Sequence, residues 1–267
     1  HVETVENLFD ALCQMLVHAQ GVQSQFAQLE GFQLMIRVLR KCAFARPAAL
    51  RTIDFALSNY HEKNARSFIN ASGLGCVFGL IAKAVKNKRR KKKMTQQEEA
   101  SLISIVHYLS MAIFQTIPTT AWQHIADHQD VEAQRLVAKF GERQYEKLQQ
   151  MIVLFDRYYT RVNAFDDGIE QMPTTQDGKI ELYFDRLNAG LSSLQHLALI
   201  VGTMGFATAF DKDDAKKRVK AVRNKMTQQT IEDIQIILKE WQVMVEFDAN
   251  ENNNFDLSTT STTSTTS

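Results

Sequence analysis

Apolar residues recur at helical spacing along most of the chain, and stretches that alternate apolar with polar are scarce. The pattern therefore predicts helices throughout. Residues 2–18 read as an amphipathic helix with Val5, Leu8, Phe9, Leu12, Cys13 and Leu16 on one face. A helix over 98–117 carries Leu102, Ile105, Val106, Leu109, Ile113 and Phe114 as its stripe and ends before Pro118. Short helices at 122–126 and 131–140 follow, the second stopped by Gly141, and then a long one over 142–164 with Tyr145, Leu148, Ile152, Phe155 and Tyr159 inward. Residues 182–201 are predicted as one helix. From Leu187 to Phe210 there is no Asp, Glu, Lys or Arg, so this helix is apolar nearly all round and must be buried. Asn188, Gln195, His196 and the paired serines suit a bilayer poorly, and no aromatic belt follows, so the helix is expected at the centre of a helical stack. A helix starting at Asp211 and another over 230–245 complete the pattern. The last buries Ile231, Ile234, Ile237, Leu238 and Trp241 and shows Glu232, Asp233, Lys239 and Glu240 outward, as a terminal cap does.

Two stretches of the first third repeat each other. Phe26 superposes on Phe68, Gly31 on Gly73, Phe32 on Leu74, Met35 on Val77 and Leu39 on Ile81, all at an offset of 42 residues, and Leu8 and Leu50 keep the same offset. Helical units of roughly 40 to 47 residues are armadillo or HEAT repeats. A short helix ending in Phe-x-x-x-x-Gly before a longer apolar helix favours armadillo. Gly31 and Gly73 are expected to make a sharp turn in which a Cβ would cost on the order of 1 kcal/mol or more; ordinary helix C-caps in an unrelated bundle are the alternative. The predicted fold is thus all-α, an armadillo/HEAT-like α-solenoid with a C-terminal helical cap. Its divisions are 1–93, two repeats ending in a basic loop; 94–247, further repeats and capping helices; and 248–267, a disordered Asn/Ser/Thr tail. Phe26, Gly31, Phe68, Gly73, Leu187, Gly190, Leu191 and Leu194 are its expected structural core.

Composition changes this picture little. The 267 residues are 45% hydrophobic, enough for a large core, and 31 Lys+Arg against 30 Asp+Glu leave a net charge of +1, so any electrostatics must be local. Cys13, Cys42 and Cys76 read as small buried hydrophobes in a reducing compartment. The chain opens on His1 in helical pattern without a signal peptide and reads as part of a longer protein. Local charge appears twice. The run through Lys88, Arg89, Arg90, Lys91, Lys92 and Lys93 holds no anion and must be an exposed loop, open to reading as a nuclear localisation signal, an RNA-phosphate contact or a solvated connection. A variant reading is autoinhibitory, with the run lying in a groove that partners use. The loop over 165–178 is acidic and broken by glycine and proline, and Asp166, Asp167 and Glu170 form a candidate acidic partner surface.

Catalytic patterns are weak. His124 and His128 have the i, i+4 spacing of metal ligands but no third ligand near them in sequence, and His196 reads as a satisfied core histidine. A glycine-rich phosphate loop, a nucleophile elbow and HExxH are absent, and acids on a mobile loop without a pocket do not make a general acid and base. The expectation is no enzyme, no cofactor, no metal and no membrane span, and without aromatics among the cations no direct nucleic-acid binding.

The residues Glu6-Asn-Leu-Phe-Asp-Ala-Leu-Cys13, Glu30-Gly31 with Gln33-Leu-Met35 and Leu39-Arg40, Ala49-Leu50 with Asp54, Gly73-Leu74 with Phe78, Arg186-Leu187 with Ala189-Gly-Leu191 and Leu194-Gln-His196, and Ile236-Ile237 with Lys239-Glu240 resemble the beta-catenin-like protein 1 family. The resemblance runs from the first residues to the last predicted helix; residues 95–164 share only the helical pattern. It implies a nuclear, non-enzymatic scaffold associated with the spliceosome. Its implied partners are splicing proteins of the nineteen complex, bound through basic localisation-signal segments, and a homodimer is possible. A cytoplasmic armadillo or HEAT adaptor without a splicing role is the alternative. Importin-type grooves hold such segments with Trp-x-x-x-Asn pairs, but here Trp122 is followed four residues on by Ala126 and Trp241 by Val245. Basic peptides would have to be held differently.

Overall fold

The computed structural model describes residues 2–17, 19–86, 94–114, 130–169, 172–206, 220 and 232–237. Among them there are helices and turns and no strand. The helices are α1 (Val2–Val17), α2 (Gln20–Gln28), α3 (Gly31–Lys41), α4 (Arg46–Leu57), α5 (Glu62–Asn70), α6 (Gly73–Lys86), α7 (Gln96–Phe114), α8 (Val131–Asp166), α9 (Gln176–Ala189) and α10 (Leu191–Phe206). The chain divides into a unit over 1–225, which holds all ten, and a unit over 226–267, in which 232–237 are helical with Ile234 and Ile237 buried. Asp233, expected on the outer face of that helix, is buried as well.

The offset seen in sequence is an offset of structure. Gln20 and Gln28 bound α2, and their counterparts 42 residues on, Glu62 and Asn70, bound α5; α3 and α6 start on the paired Gly31 and Gly73. Corresponding helices pack on one another, α1 on α4, α2 on α5 and α3 on α6, so each three-helix unit lays its three rungs on those of the next. A third unit continues the ladders. α7 packs on α4, and α8 meets both α5 and α6.

The two glycines serve a purpose other than the expected one. The left-handed residues are those just before them, Glu30 (φ 59°) and Ser72 (φ 63°), and the glycines are neither turn residues nor C-caps but the first residues of α3 and α6. They are required because an aromatic ring lies against each Cα. An added Cβ would stand 2.5 Å from the Phe26 ring at Gly31 and 2.3 Å from the Phe68 ring at Gly73. The ring caps the corner, and α5 and α6 meet there at 82°. In the third unit the corner falls inside α8, where Glu142 leaves helical geometry (ψ 139°) directly after Gly141 and Arg143, Gln144 and Tyr145 take φ of 51°, 58° and 63°, so the break predicted after Gly141 is there, as a left-handed corner.

Local chemistry places the helix starts. Thr95 and Glu98 form a reciprocal capping box on α7, with Thr95 N donating to Glu98 Oε2 at 2.8 Å and Glu98 N to Thr95 Oγ1 at 3.1 Å. Asp130 accepts from Ala133 N at 2.9 Å to open α8, and Thr175 accepts from Gly178 N at 3.2 Å to open α9. The fully buried Gln23 ties three helices together, donating to the carbonyls of Leu16 (2.8 Å) and Phe55 (2.7 Å) while Asn59 donates to its Oε1 (3.0 Å). A buried amide with both ends satisfied fixes the register of α1, α2 and α4.

The helix predicted over 182–201 is two. Gly190 adopts φ 114° as the C-cap of α9, the Tyr158 ring lies 2.7 Å from where its Cβ would be, and α10 starts at Leu191. The apolar content belongs to α10, where Leu191, Leu194, Leu197, Ala198, Ile200 and Val201 are buried, whereas α9 buries no residue. Leu187, expected in the core, is therefore only half-buried, as is Phe26, while Phe68 is fully buried. The central helix is α7 instead. Leu102, Ile103, Ile105, Val106, Leu109 and Ile113 have no exposure at all, because α4, α5, α6 and α10 surround it. Leu8, expected on the inner face of α1, is 67% exposed, since among the described helices α1 packs on α2 and α4 alone, along the side of Cys13 and Leu16. Among the described residues no single helix is long and apolar enough to cross a membrane.

Candidate functional site

Several residues singled out by sequence lie outside the described residues: Lys88 to Lys93, Glu170, and His124 with His128. Asp166 and Asp167 are described, at the end of α8. Asp167 is exposed. Asp166 is half-buried and held by Arg186 of α9, whose Nη2 donates to Oδ2 at 3.1 Å while Nε lies 3.1 Å from Oδ1. Its charge is thus largely spent inside the fold, and it pins α9 to α8.

The chief buried polar constellation lies between α4, α7 and α10. The His107 and His196 rings stack at 4.1 Å between centroids with 11° between planes. The Tyr60 hydroxyl lies 3.2 Å from His107 Nε2 and Ser104 Oγ 3.3 Å from His196 Nδ1, and the Tyr108 ring stands edge-on to Tyr60 and His196. Burial lowers both imidazoles, His107 to about 2 with help from the neighbouring ring and His196 to about 4, so both are neutral near pH 7. Asp54 joins from α4: its carboxyl is packed in by neighbours although the residue as a whole is only partly covered. Burial raises it to about 7, against a hydrogen bond to Ser101 that lowers it. Asp54 and His196 are two of the residues that carry the family resemblance. His107 has no exposure, while Tyr60 reaches the surface, and the constellation ties the α4 side, α7 and α10 together.

A second network joins α5 to the start of α8. Arg66 donates to Asp130 Oδ1 and Oδ2 (both 2.7 Å), Glu132 Oε2 (3.0 Å) and Glu62 Oε1 (2.6 Å), and Asn70 donates to Glu132 Oε1 (2.8 Å). The Arg66 guanidinium holds the Asp130 carboxyl below its ordinary range, and Asn70 first, with Arg66, does the same for Glu132. An open cleft of about 470 Å³ between α1, α4 and the start of α7 is lined by Val5, Phe9, Phe44 and Pro47, with Arg51 paired to Asp10. Its described lining has no histidine or cysteine. Among the described residues no three His, Cys, Asp or Glu side chains gather as metal ligands.

Two surfaces went unrecognised in the sequence. On α9, Asp177, Glu181 and Asp185 are exposed one turn apart, beside exposed Ile180 (46%) and Phe184 (59%), with Met172 (71%) just before the helix. Reading 182–201 as one buried helix hid this face, although the Ala189-Gly190-Leu191 step is a C-cap signal. The other lies on α3 and α6, neither of which contains an acid.

The geometry agrees with the comparisons. A family model described as "Catenin-beta-like, Arm-motif containing nuclear" matches residues 1–239. Beta-catenin-like protein 1 of Mus musculus and of Homo sapiens are each 27% identical over 249 residues, 90% of this chain. The Schizosaccharomyces pombe homolog is 21% identical over 202 residues, 74% of this chain. The chain spans 41% of the length of the two mammalian proteins and 32% of the yeast one. With three-helix units stacked rung on rung and the model matching most of its length, the chain belongs to the catenin-beta-like, Arm-motif containing nuclear family.

Proposed function

We propose that the chain is a nuclear, non-enzymatic scaffold for protein–protein interaction that serves pre-mRNA splicing. The single observation that carries the scaffold reading is the repeat array itself. Its buried polar groups are spent on holding helices together, and its exposed chemistry is spread over helix faces, as a surface that binds other chains requires. The splicing association and the nineteen-complex partners follow from the family resemblance.

The surface that suits a basic localisation-type segment is the end of α8 with α9. Asp167, Asp177, Glu181 and Asp185 supply negative charge, and Phe184 and Ile180 supply apolar contact for the stems of lysine and arginine side chains. Affinity purification of the full-length protein from nuclear extract, with mass spectrometry, tests the scaffold role. Splicing factors are expected to dominate; cytoplasmic adaptor proteins in their place would reject the nuclear splicing role. Reversing Glu181 and Asp185 to lysine tests the surface. Binding of a basic peptide should weaken in a salt-dependent way, and unchanged affinity would exclude it.

A further inference from the structure

Helices α3 and α6 lie against each other, and neither carries an aspartate or glutamate. Arg37, Arg40 and Lys41 are exposed on α3, and Lys83 and Lys86 on α6. The two sets meet in space. The Arg40 guanidinium reaches across to the Ser72 carbonyl at the head of α6 (3.4 Å), and Arg40, Lys83 and Arg46 all act on the Cys76 thiol between them. Among the described residues Lys86 has one distant partner, Glu146 at 3.9 Å, and its side chain is 73% exposed. Among the described residues Arg37, Arg40, Lys41, Arg46 and Lys83 form no ion pair. The protein's net charge is +1, so this patch is a local concentration of one sign. Unpaired like charges held together repel, and carboxylates brought by a partner would relieve that repulsion.

The other exposed positions of these two helices decide what kind of anion fits. Leu34 is 57% exposed on α3, and α6 presents bare backbone at Gly75 and Gly79, with nothing within 4 Å of either position for a Cβ. Phe32 and Phe78, the aromatics of these helices, are buried, so bases would find no ring to stack on. The geometry points to the α3–α6 face as a docking surface for an acidic, partly apolar peptide segment of a partner protein, its carboxylates on Arg37, Arg40, Lys41 and Lys83 and an apolar side chain over Leu34. This surface is separate from the one on α9 and opposite in charge, so either can fail without the other.

Fluorescence anisotropy of the full chain tests it. Three labelled probes are used: a peptide of Glu and Asp interspersed with Leu, a single-stranded RNA of equal charge, and a basic peptide. The acidic peptide should bind with an affinity that falls as salt rises, and more tightly than the RNA. Arg40→Glu with Lys83→Glu should weaken it by about tenfold or more, the neutral pair Arg40→Gln with Lys83→Gln by less, and neither should change binding of the basic peptide. Circular dichroism and urea midpoints establish that each variant is folded, and the neutral pair carries the test if the reversed one is not. Unchanged affinity in the folded variants overturns the proposal. So does tighter binding of the RNA, which would make this a nucleic-acid face, or sedimentation showing self-association that the variants abolish, which would make the occupant a second copy of the chain.

Discussion

Gly73→Ala probes the corner on which the repeat is built. The new methyl would sit 2.3 to 2.6 Å from three carbons of the Phe68 ring, against about 3.5–4.0 Å for carbon atoms in contact. Phe68 has no exposure and its ring meets that of Phe32, also fully buried, at 5.5 Å, so it has nowhere to turn. Relief requires α5 to move away from α6, an overpacking cost of about 2–3 kcal/mol. Gly31→Ala creates nearly the same overlap, 2.5 Å from Phe26, but that ring is half-exposed and swings out for about 1 kcal/mol, chiefly its edge contact with Phe32. Gly79→Ala, in open space within α6, should stabilise by about 0.5–1 kcal/mol. Urea unfolding followed by far-ultraviolet circular dichroism, with midpoints compared at constant slope, ranks the three. Adding Phe68→Leu to Gly73→Ala should cost less than the sum of the two changes, because they share one space. Equal midpoints for Gly73→Ala and Gly31→Ala, or strict additivity with Phe68→Leu, would refute the steric account.

Four further outcomes follow from named contacts. The neutral His107 and His196 have folded pKa values depressed from about 6.5, so their contribution is complete above that pH and is lost as pH falls. Asp54, raised to about 7, contributes the opposite way, gaining as pH falls from about 7 toward 4. Between pH 6.5 and 5 the net loss should be about 1.5 kcal/mol, one histidine uncompensated, and Asp54→Asn should raise it to about 3; thermal unfolding at the two pH values reads this, and an unaltered pH dependence in the variant would contradict it. Arg66→Ala should cost about 1–3 kcal/mol by leaving Asp130 and Glu132 without their shared donor, with the deficit shrinking in high salt, as urea midpoints at two salt concentrations will show. Gly190→Ala combines a left-handed φ of 114° with Tyr158 at 2.7 Å and should lower the urea midpoint at least as much as Gly73→Ala. Thr95→Ala removes one half of the α7 capping box and should cost about 1 kcal/mol by the same unfolding measurement.

Much of this molecule is legible in its residues. The 42-residue offset is visible because Phe and Gly return at fixed separation, and the bounds of α2 and α5 keep it to the residue. The break at Gly190 is legible too, once the C-cap signal is weighed against an uninterrupted apolar run. Of the sites, charge patterns reveal most: the acid-free α3 and α6 and the spaced acids of α9 need only the helix period to be seen as faces. Partnership is less readable. Asp166 looks like a free loop acid until Arg186, twenty residues on, is found against it, and Asp54, His107 and His196 are remote in sequence yet join one constellation.

Local sequence determines the helices, their caps and their period, because each rests on interactions within a few residues: a Thr95–Glu98 box, a left-handed Gly190, an apolar stripe at helical spacing. Tertiary structure alone decided which apolar helix is central. α7 and the stretch from Leu182 look equally burial-prone, but burial depends on how many neighbours arrive: among the described residues α7 meets α4, α5, α6, α8 and α10, whereas in the stretch from Leu182 α10 meets α7, α8 and α9 and α9 buries no residue. The same holds for the glycines of the repeat. Their positions are written in the chain, but their reason, a ring folded back onto a bare Cα at the corner between two helices, exists only once those helices have met.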